Sequence, residues 1–311
     1  MIKRTLYFGN PAYLSVRLAQ LEIRLPEVEK NDTLPESFKT QAVKQIPSED
    51  IGVVVLDNKQ ITITQGALSA LLDNNVAVIS CDEHRMPAGL MLPLEGNTTQ
   101  SERFKHQIDA SLPLKKQLWQ QTIQAKITNQ AAVLLEQRGL ACGNMEAWAK
   151  QVKSGDSDNL EGRAAAFYWQ SLFGHIDGFH RDREGVPPNN LLNYGYAILR
   201  AVVARSLVGS GLLPTLGIHH HNRYNAYCLA DDIMEPYRPY VDKLVTEIVD
   251  SGIDCSTLTT ELKGKLLSIP VLDVVINGRR SPLMIAVGTT TASLYKCYSG
   301  EIRKIAYPIM E

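Results

Sequence analysis

The stretch from Gly211 to Pro239, GLLPTLGIHHHNRYNAYCLADDIMEPYRP, gathers the side chains of this chain best suited to chemistry. Three consecutive histidines, His219, His220 and His221, precede the acidic residues Asp231, Asp232 and Glu235. Imidazole nitrogens with carboxylate oxygens make a ligand set for a divalent ion such as Mg²⁺, Mn²⁺ or Zn²⁺. The segment LADDIMEPYRP reads as the first turns of a helix, where Asp232 and Glu235 share one face. A plainer reading stands beside this one. Acidic groups in a first helical turn offset the macrodipole, and a histidine run can be a solvated loop. A further candidate ligand is Glu161 in DNLEGRAAAFYWQSLF, next to Ala164, Ala165 and Ala166, whose small size lets a neighbouring helix approach. Spacing alone favours a structural role there, because Asp158 and Glu161 have the separation of a capping box.

Two kinds of element must position these residues. The first ~95 residues hold short β-branched or aromatic runs, TLYFGN, AYLSVRL, QLEIRL, IGVVVLD, KQITIT and VAVISC, punctuated by turn residues. Asn58-Lys59 fits a tight turn between two of them, ITQGALSALLD switches to helical spacing, and MPAGLMLPL reads as a closing strand pair. Beyond Ser101 the apolar period is helical, predicting helices over 101–110, 113–138, 144–153, 160–173, 189–211, 229–251 and 258–268, with a weaker one over 281–297. Leu114, Leu118, Ile123, Ile127 and Leu134 form the apolar stripe of the longest. The fold class expected is α+β: a small β-rich domain over residues 1–97, then a larger all-α-helical domain over 98–311 that carries the chemistry.

Composition narrows the partners. With 311 residues, 44% hydrophobic and 21% charged, the chain has the balance of a soluble globular protein. It has no apolar run of about 18 residues to span a membrane and no secretory h-region near its start, so a cytoplasmic setting is expected. Five scattered cysteines, none in a CxxC pair, suggest neither a disulfide framework nor a zinc ribbon. Net charge is −1, but residues 206–260 hold three basic against seven acidic side chains, and residues 261–311 hold seven against four. An acidic segment beside a basic one fits a metal centre next to a phosphate-binding surface.

Five phrases in this order, TLYFGNPAYLSV, NLEGRAAAFYW, NNLLNYGYAILRA, GLLPTLGIHHHNRYNAYCLADDIMEPYRP and GTTTASLY, resemble the CRISPR-associated spacer-acquisition nuclease/integrase family. This is the larger of the two universal adaptation proteins, and GIHHHNRYN with LADDIMEPYRP looks like its type II branch. The resemblance implies a metal site of one Glu, one His and one later acidic residue. These fall on Glu161, on one of the three histidines and on Glu235. His220, fifteen residues before Glu235, is favoured, with His219 and His221 as rivals. Asp232 and His221 would support the site. Many relatives carry Asp where this chain has Glu235. Mg²⁺ or Mn²⁺ is the implied ion, and one ion is the simpler expectation.

The implied reaction is an in-line displacement at phosphorus, with a DNA 3′-OH or a water as nucleophile. Incoming DNA varies in sequence, so it must be held by its backbone. Arg238, Arg279, Arg280, Lys296, Arg303 and Lys304 are the candidate phosphate contacts, with Asn193 as a further DNA-binding candidate. Tyr194, Tyr196, Tyr224 and Tyr227 could flank a strand end or belong to the core. The resemblance further implies a homodimer formed through the β domain and a small ferredoxin-like adaptation partner completing a hetero-hexamer on double-stranded DNA. The effector nuclease is admitted as an additional partner. A stand-alone repair nuclease and a non-catalytic DNA scaffold are the rival readings.

Overall fold

The computed structural model describes residues 2–310. They divide into two compact units, with the boundary between Gly96 and Asn97. In the first unit the β-branched runs become β1 (Arg4–Phe8), β2 (Tyr13–Arg17), β3 (Gln20–Arg24), β4 (Lys44–Pro47), β5 (Ile51–Leu56), β6 (Thr62–Ile63), β7 (Ala77–Cys81) and β8 (Pro87–Met91). Short helices α1 (Pro26–Glu29) and α2 (Glu36–Gln41) separate β3 from β4, and α3 (Gln65–Asp73) separates β6 from β7. One sheet runs β1-β5-β7-β8, parallel except for β8, and the other runs β4-β3-β2-β6. The continuous apolar run IGVVVL suits β5, an interior parallel strand buried along nearly its whole length. Phe8, Leu14, Leu21, Ile51, Val54, Leu71 and Val78 form the core of this unit.

Two local expectations change. Asn58-Lys59 does not close a hairpin, because β5 and β6 lie in different sheets and β6 pairs in parallel with β2. Asn58 instead donates to the Gly9 carbonyl at 3.1 Å and accepts from the Gln60 amide at 2.9 Å, an Asx turn. The stretch MPAGLMLPL supplies a single strand, β8, antiparallel to β7.

The second unit is mainly helical: α4 (Gln100–Ile108), α5 (Leu112–Arg138), α6 (Gly143–Gln151), α7 (Leu160–Phe173), α8 (Asn189–Gly209), α9 (Cys228–Met234), α10 (Arg238–Asp250), α11 (Thr260–Leu266) and α12 (Leu283–Tyr298). The 27-residue α5 is its axis, packed against α6, α7, α9 and α10. Ser111 caps its start, accepting from the Leu114 amide at 3.4 Å, and Gly139 at φ 63° ends it in the left-handed conformation that glycine adopts without strain. Leu118, Ile123, Ile127 and Leu134 are buried as the stripe predicts, and Trp119, Thr122, Lys126, Asn129 and Gln130 are buried with them.

The expectation of an all-helical second domain needs correction. Strands β9 (Asp273–Ile276) and β10 (Arg279–Pro282) form an antiparallel hairpin in this unit. Its turn is Asn277-Gly278 with both φ values positive, 51° and 71°, the backbone that a two-residue hairpin loop demands. The single helix expected over 229–251 is also broken. Pro236 and Pro239 each lack the N–H a continuous helix needs, so a 3₁₀ turn, Glu235–Tyr237, joins α9 to α10. Among the described residues no helix is long and apolar enough to cross a membrane.

Candidate active site

The start of α7 fixes Glu161. Asp156 accepts from the amides of Leu160 at 2.9 Å and Glu161 at 3.0 Å, and the Asn159 side chain accepts from Gly162 at 3.3 Å. These contacts serve first-turn amides that have no helical partner. The Glu161 carboxylate is therefore not spent as a cap, and Asp158 pairs outward with Lys153 at 2.8 Å. Glu161 Oε1 instead accepts from the Lys126 ammonium on α5 at 2.6 Å.

The same ammonium reaches Glu235 Oε2 at 2.7 Å, while Arg238 Nη2 lies 3.0 Å from Glu235 Oε1. Glu235 occupies the 3₁₀ turn between α9 and α10, and from there its carboxylate meets Lys126 on α5. Lys126 and Glu235 are buried, at 8% and 4% exposure, so their charges persist only because they are paired. Burial alone would lower the lysine's pKa, but Glu235 and Glu161 outweigh it and raise it. Burial would raise Glu235, yet Arg238 and Lys126 hold it below the ordinary carboxylate range. The Lys126–Glu235 contact is a short ion pair, and Arg238 Nε is a buried atom with no hydrogen-bond partner among the described residues.

The histidine loop is organised from the α9 side by Asp232, which is fully buried. Its Oδ2 accepts from the amides of Ile218 at 2.7 Å and His219 at 2.9 Å, and its Oδ1 accepts from the His220 amide at 3.3 Å. Oδ1 also lies 2.5 Å from His220 Nδ1. Both carboxylate oxygens are thus occupied by the loop. Only glycine fits at 217, because a Cβ there would lie 2.3 Å from the His220 carbonyl oxygen and 2.8 Å from Asp232 Oδ2. The bond to Asp232 raises the His220 pKa against the effect of burial, and the charges of Asp232, Glu235 and Glu161 add to it. His219 stacks flat on Trp119, centroids 4.2 Å apart, and His220 meets the same indole edge-on at 5.5 Å. Burial and the neighbouring His220 lower the His219 pKa. His221 is exposed. Asp231 ties down the loop's far end through Arg200 Nε and Asn225 Nδ2, both at 2.6 Å.

The structure therefore brings Glu161 and Glu235 onto one cation and sets His220 beside them through Asp232. Among the described residues, no three His, Cys, Asp or Glu side chains stand together as a ready ion cage. The position between the two glutamates is filled by the Lys126 ammonium. That arrangement is itself the test of fit. Two carboxylates at 2.6 and 2.7 Å from one cation converge as a divalent ion requires, and the oxygen and imidazole donors suit Mg²⁺ or Mn²⁺.

The DNA-binding candidates separate into two groups. Arg279 and Arg280 on β10, Lys296 on α12, and Arg303 and Lys304 in the C-terminal segment are exposed. Arg238 is engaged inside the site, on Glu235 and 4.7 Å above the Tyr196 ring. Asn193 is engaged structurally, accepting from Arg181 at 2.9 Å and donating to the Arg183 carbonyl at 2.8 Å. Tyr194 and Tyr196 belong to the core, Tyr227 is half-buried and Tyr224 is exposed. Sequence reasoning missed Lys126, Trp119 and Asn129. Asn129 on α5 donates to the carbonyls of Pro236 at 2.8 Å and Pro308 at 3.1 Å and accepts from the Met310 amide at 3.0 Å. Asn129 could have been found as a polar residue embedded in the apolar stripe of α5, whereas Lys126 and Trp119 show their place only in the packing.

The family described as CRISPR associated protein Cas1 matches residues 27–276. The CRISPR-associated endonuclease Cas1 of Neisseria meningitidis serogroup C (strain 8013) is 38% identical, over 80% of this chain and 81% of that protein. A casposase bound to integration product shares the fold at a TM-score of 0.74 and 22% identity, covering 98% of this chain and 92% of that one. A CAS1 protein from Thermotoga maritima superposes at 0.70 with 15% identity, covering 96% and 97%. A chain of a Cas6-RT-Cas1–Cas2 complex superposes at 0.71 with 19% identity, covering 97% of this chain and 35% of that one. A profile match over most of the length, with a relative this similar, places the chain in the CRISPR associated protein Cas1 family.

Proposed function

We propose that this chain is a metal-dependent DNA endonuclease and integrase of CRISPR adaptation, inserting short DNA fragments into a repeat array from the cytoplasm. The observation that carries the reading is the convergence of Glu161 and Glu235 on one cation beside an imidazole oriented by Asp232. In this reading Glu161, Glu235 and His220 hold Mg²⁺ or Mn²⁺. With Nδ1 committed to Asp232, His220 offers Nε2 to the ion. Among the described residues the exposed His221 makes no side-chain hydrogen bond or ion pair, so the supporting role rests on Asp232.

When bound, the ion polarises the phosphoryl group and lowers the pKa of the attacking hydroxyl. The protein's share is placement. Glu161 and Glu235 supply the negative charge that keeps the ion, and Asp232 with Trp119 keeps the His220 ring from rotating. Joining forms a bond from the DNA 3′-oxygen to phosphorus as the existing 3′-oxygen–phosphorus bond breaks, and that leaving oxygen takes the proton. Hydrolysis replaces the attacking 3′-hydroxyl by water. The exposed Arg279, Arg280, Lys296, Arg303 and Lys304 supply backbone contacts to duplex DNA. Arg238 acts inside the site by neutralising Glu235.

The proposed assembly has residues 1–97 pairing two copies and residues 98–311 carrying the chemistry. A small ferredoxin-like partner joins dimers into a hetero-hexamer, and the effector nuclease is a further candidate partner. The Cas1–Cas2 complex named above supports the small partner. A joining assay tests the whole reading. Wild type, Glu161→Ala, His220→Ala and His221→Ala are mixed with that partner, a labelled short duplex and a repeat-bearing plasmid. Label transfer that requires Mg²⁺ or Mn²⁺, survives His221→Ala and is lost with the other two variants is expected. Transfer that resists chelation or survives Glu161→Ala overturns the assignment, and cutting without transfer favours a stand-alone nuclease.

A further inference from the structure

Lys126 is a peculiar neighbour for metal ligands. It sits at 8% exposure on the central helix α5, flanked by buried Ile123 and Ile127, with its ammonium directed at both Glu161 and Glu235. A buried ammonium needs compensation, and so do two converging carboxylates. Each partner here compensates the other. A divalent ion bound by the same two carboxylates would be within a few ångströms of the ammonium, and like charges that close in a buried site repel strongly.

We infer that Lys126 is an internal cation that occupies the divalent-ion position in the metal-free protein and is exchanged for the ion on loading. The inference rests on the metal reading of this site and adds to it. Lys126 is a positioning residue: it keeps Glu161 and Glu235 converged before the ion arrives, and it sets the affinity by competing for them. Three features of the site permit the exchange. The Lys126 ammonium ends a flexible four-carbon stem, so it can leave both carboxylates by side-chain rotation alone. Arg238 remains on Glu235 Oε1 in either state, so that carboxylate is never uncompensated. The Glu161 side chain retains 25% exposure, which gives the incoming ion a path from solvent.

The opposite role, a lysine that stays in place and helps hold the ligands around the ion, predicts the opposite response to its removal. Full-length wild type, Lys126→Gln and Glu161→Gln are titrated with Mn²⁺, following the free-ion signal by electron paramagnetic resonance, with melting curves in chelator and in Mn²⁺. Lys126→Met, which keeps the stem length and suits the apolar neighbours, is run alongside in case the amide variant does not fold. Exchange predicts that neutralising Lys126 tightens Mn²⁺ binding by roughly tenfold or more, because the ion no longer has to displace a competing cation from Glu161 and Glu235. It also predicts a lower melting temperature in chelator, and a larger rise on adding Mn²⁺ than in wild type. Unchanged or weaker binding in the Lys126 variants, while wild-type binding still depends on Glu161, overturns the exchange and leaves the metal reading intact. Wild-type binding that is absent, or indifferent to Glu161→Gln, overturns both.

Discussion

At the scale of single residues, the most informative titrating group outside the glutamate pair is Asp242. It is 1% exposed on α10 and accepts from the Tyr168 hydroxyl at 3.0 Å and from the Tyr196 hydroxyl. Burial pushes its carboxyl up to about 7; the two tyrosines and the charges of Arg181 and Arg238 only partly oppose this. In the unfolded chain the same group titrates near ~3.9. The folded state therefore binds more protons between those values, and linkage fixes the sign. The stability this group contributes is full below about pH 4, falls as the pH rises through 7, and is lost above it. Asp242→Asn should flatten this decline. Urea unfolding from pH 4 to 8 should show wild type losing stability relative to the variant, and parallel curves would refute the assignment. The same scale shows what a sequence can reveal about a site. Glu161, His220 and Glu235 stand out because their types cluster within short motifs. Lys126 does not, since a lysine between isoleucines on a long helix has the ordinary look of a solvated position, and only packing shows where its ammonium goes.

At the scale of elements, the site depends on a broken helix held by a straight one. Pro236 lies in the 3₁₀ turn that interrupts the run from α9 to α10, and its carbonyl is bonded from α5. Asn129 on α5 takes up that carbonyl, and its remaining bonds hold Pro308 and Met310 of the C-terminal segment. Three further ties bind the same segment to α5, from Gln121 to Arg303 and Ile305 and from Thr122 to Tyr307. Asn129→Ala should cost about 2–4 kcal/mol, because it strands buried carbonyls and an amide without partners. Denaturant unfolding measures it, and a loss below about 1 kcal/mol would mean water or repacking replaces the asparagine. Much of this framework was legible in advance. The helices over 113–138 and 160–173 fall close to their expected limits, because a strong apolar period and clear caps mark them. The split of 229–251 was written in two prolines but outweighed by the continuous helical period around them. The β9–β10 hairpin was written in Asn277-Gly278 but lost beside the apolar residues that follow. The pairing of β6 with β2 could not be read locally at all, since it depends on which sheet each strand joins.

At the scale of the whole molecule, a net charge of −1 gives no general affinity for a polyanion, so DNA binding must come from local arrangement. Of the acidic groups that bear on the site, Asp232 and Glu235 are buried and neutralised by a histidine, a lysine and an arginine, and the half-buried Glu161 shares the same lysine. The basic groups with freedom to meet phosphates are on the outside of the helical unit, on the hairpin, on α12 and in the C-terminal segment. Because those acids are paired with cations inside the protein, they scarcely oppose the exposed basic groups. Binding to a duplex should therefore be strongly salt-dependent, with each phosphate-contacting cation adding about 0.9 to the slope of log affinity against log salt. Replacing Arg279 and Arg280 together by alanine should lower that slope by about 1.8, if both meet phosphates, and should weaken binding equally for unrelated sequences. Lys126→Gln should leave the slope unchanged, because its ammonium is spent inside the protein. Fluorescence anisotropy with two unrelated duplexes across a salt series decides the matter. An unchanged slope for the hairpin variant would remove the hairpin from the DNA surface and transfer the electrostatic work to Lys296, Arg303 and Lys304.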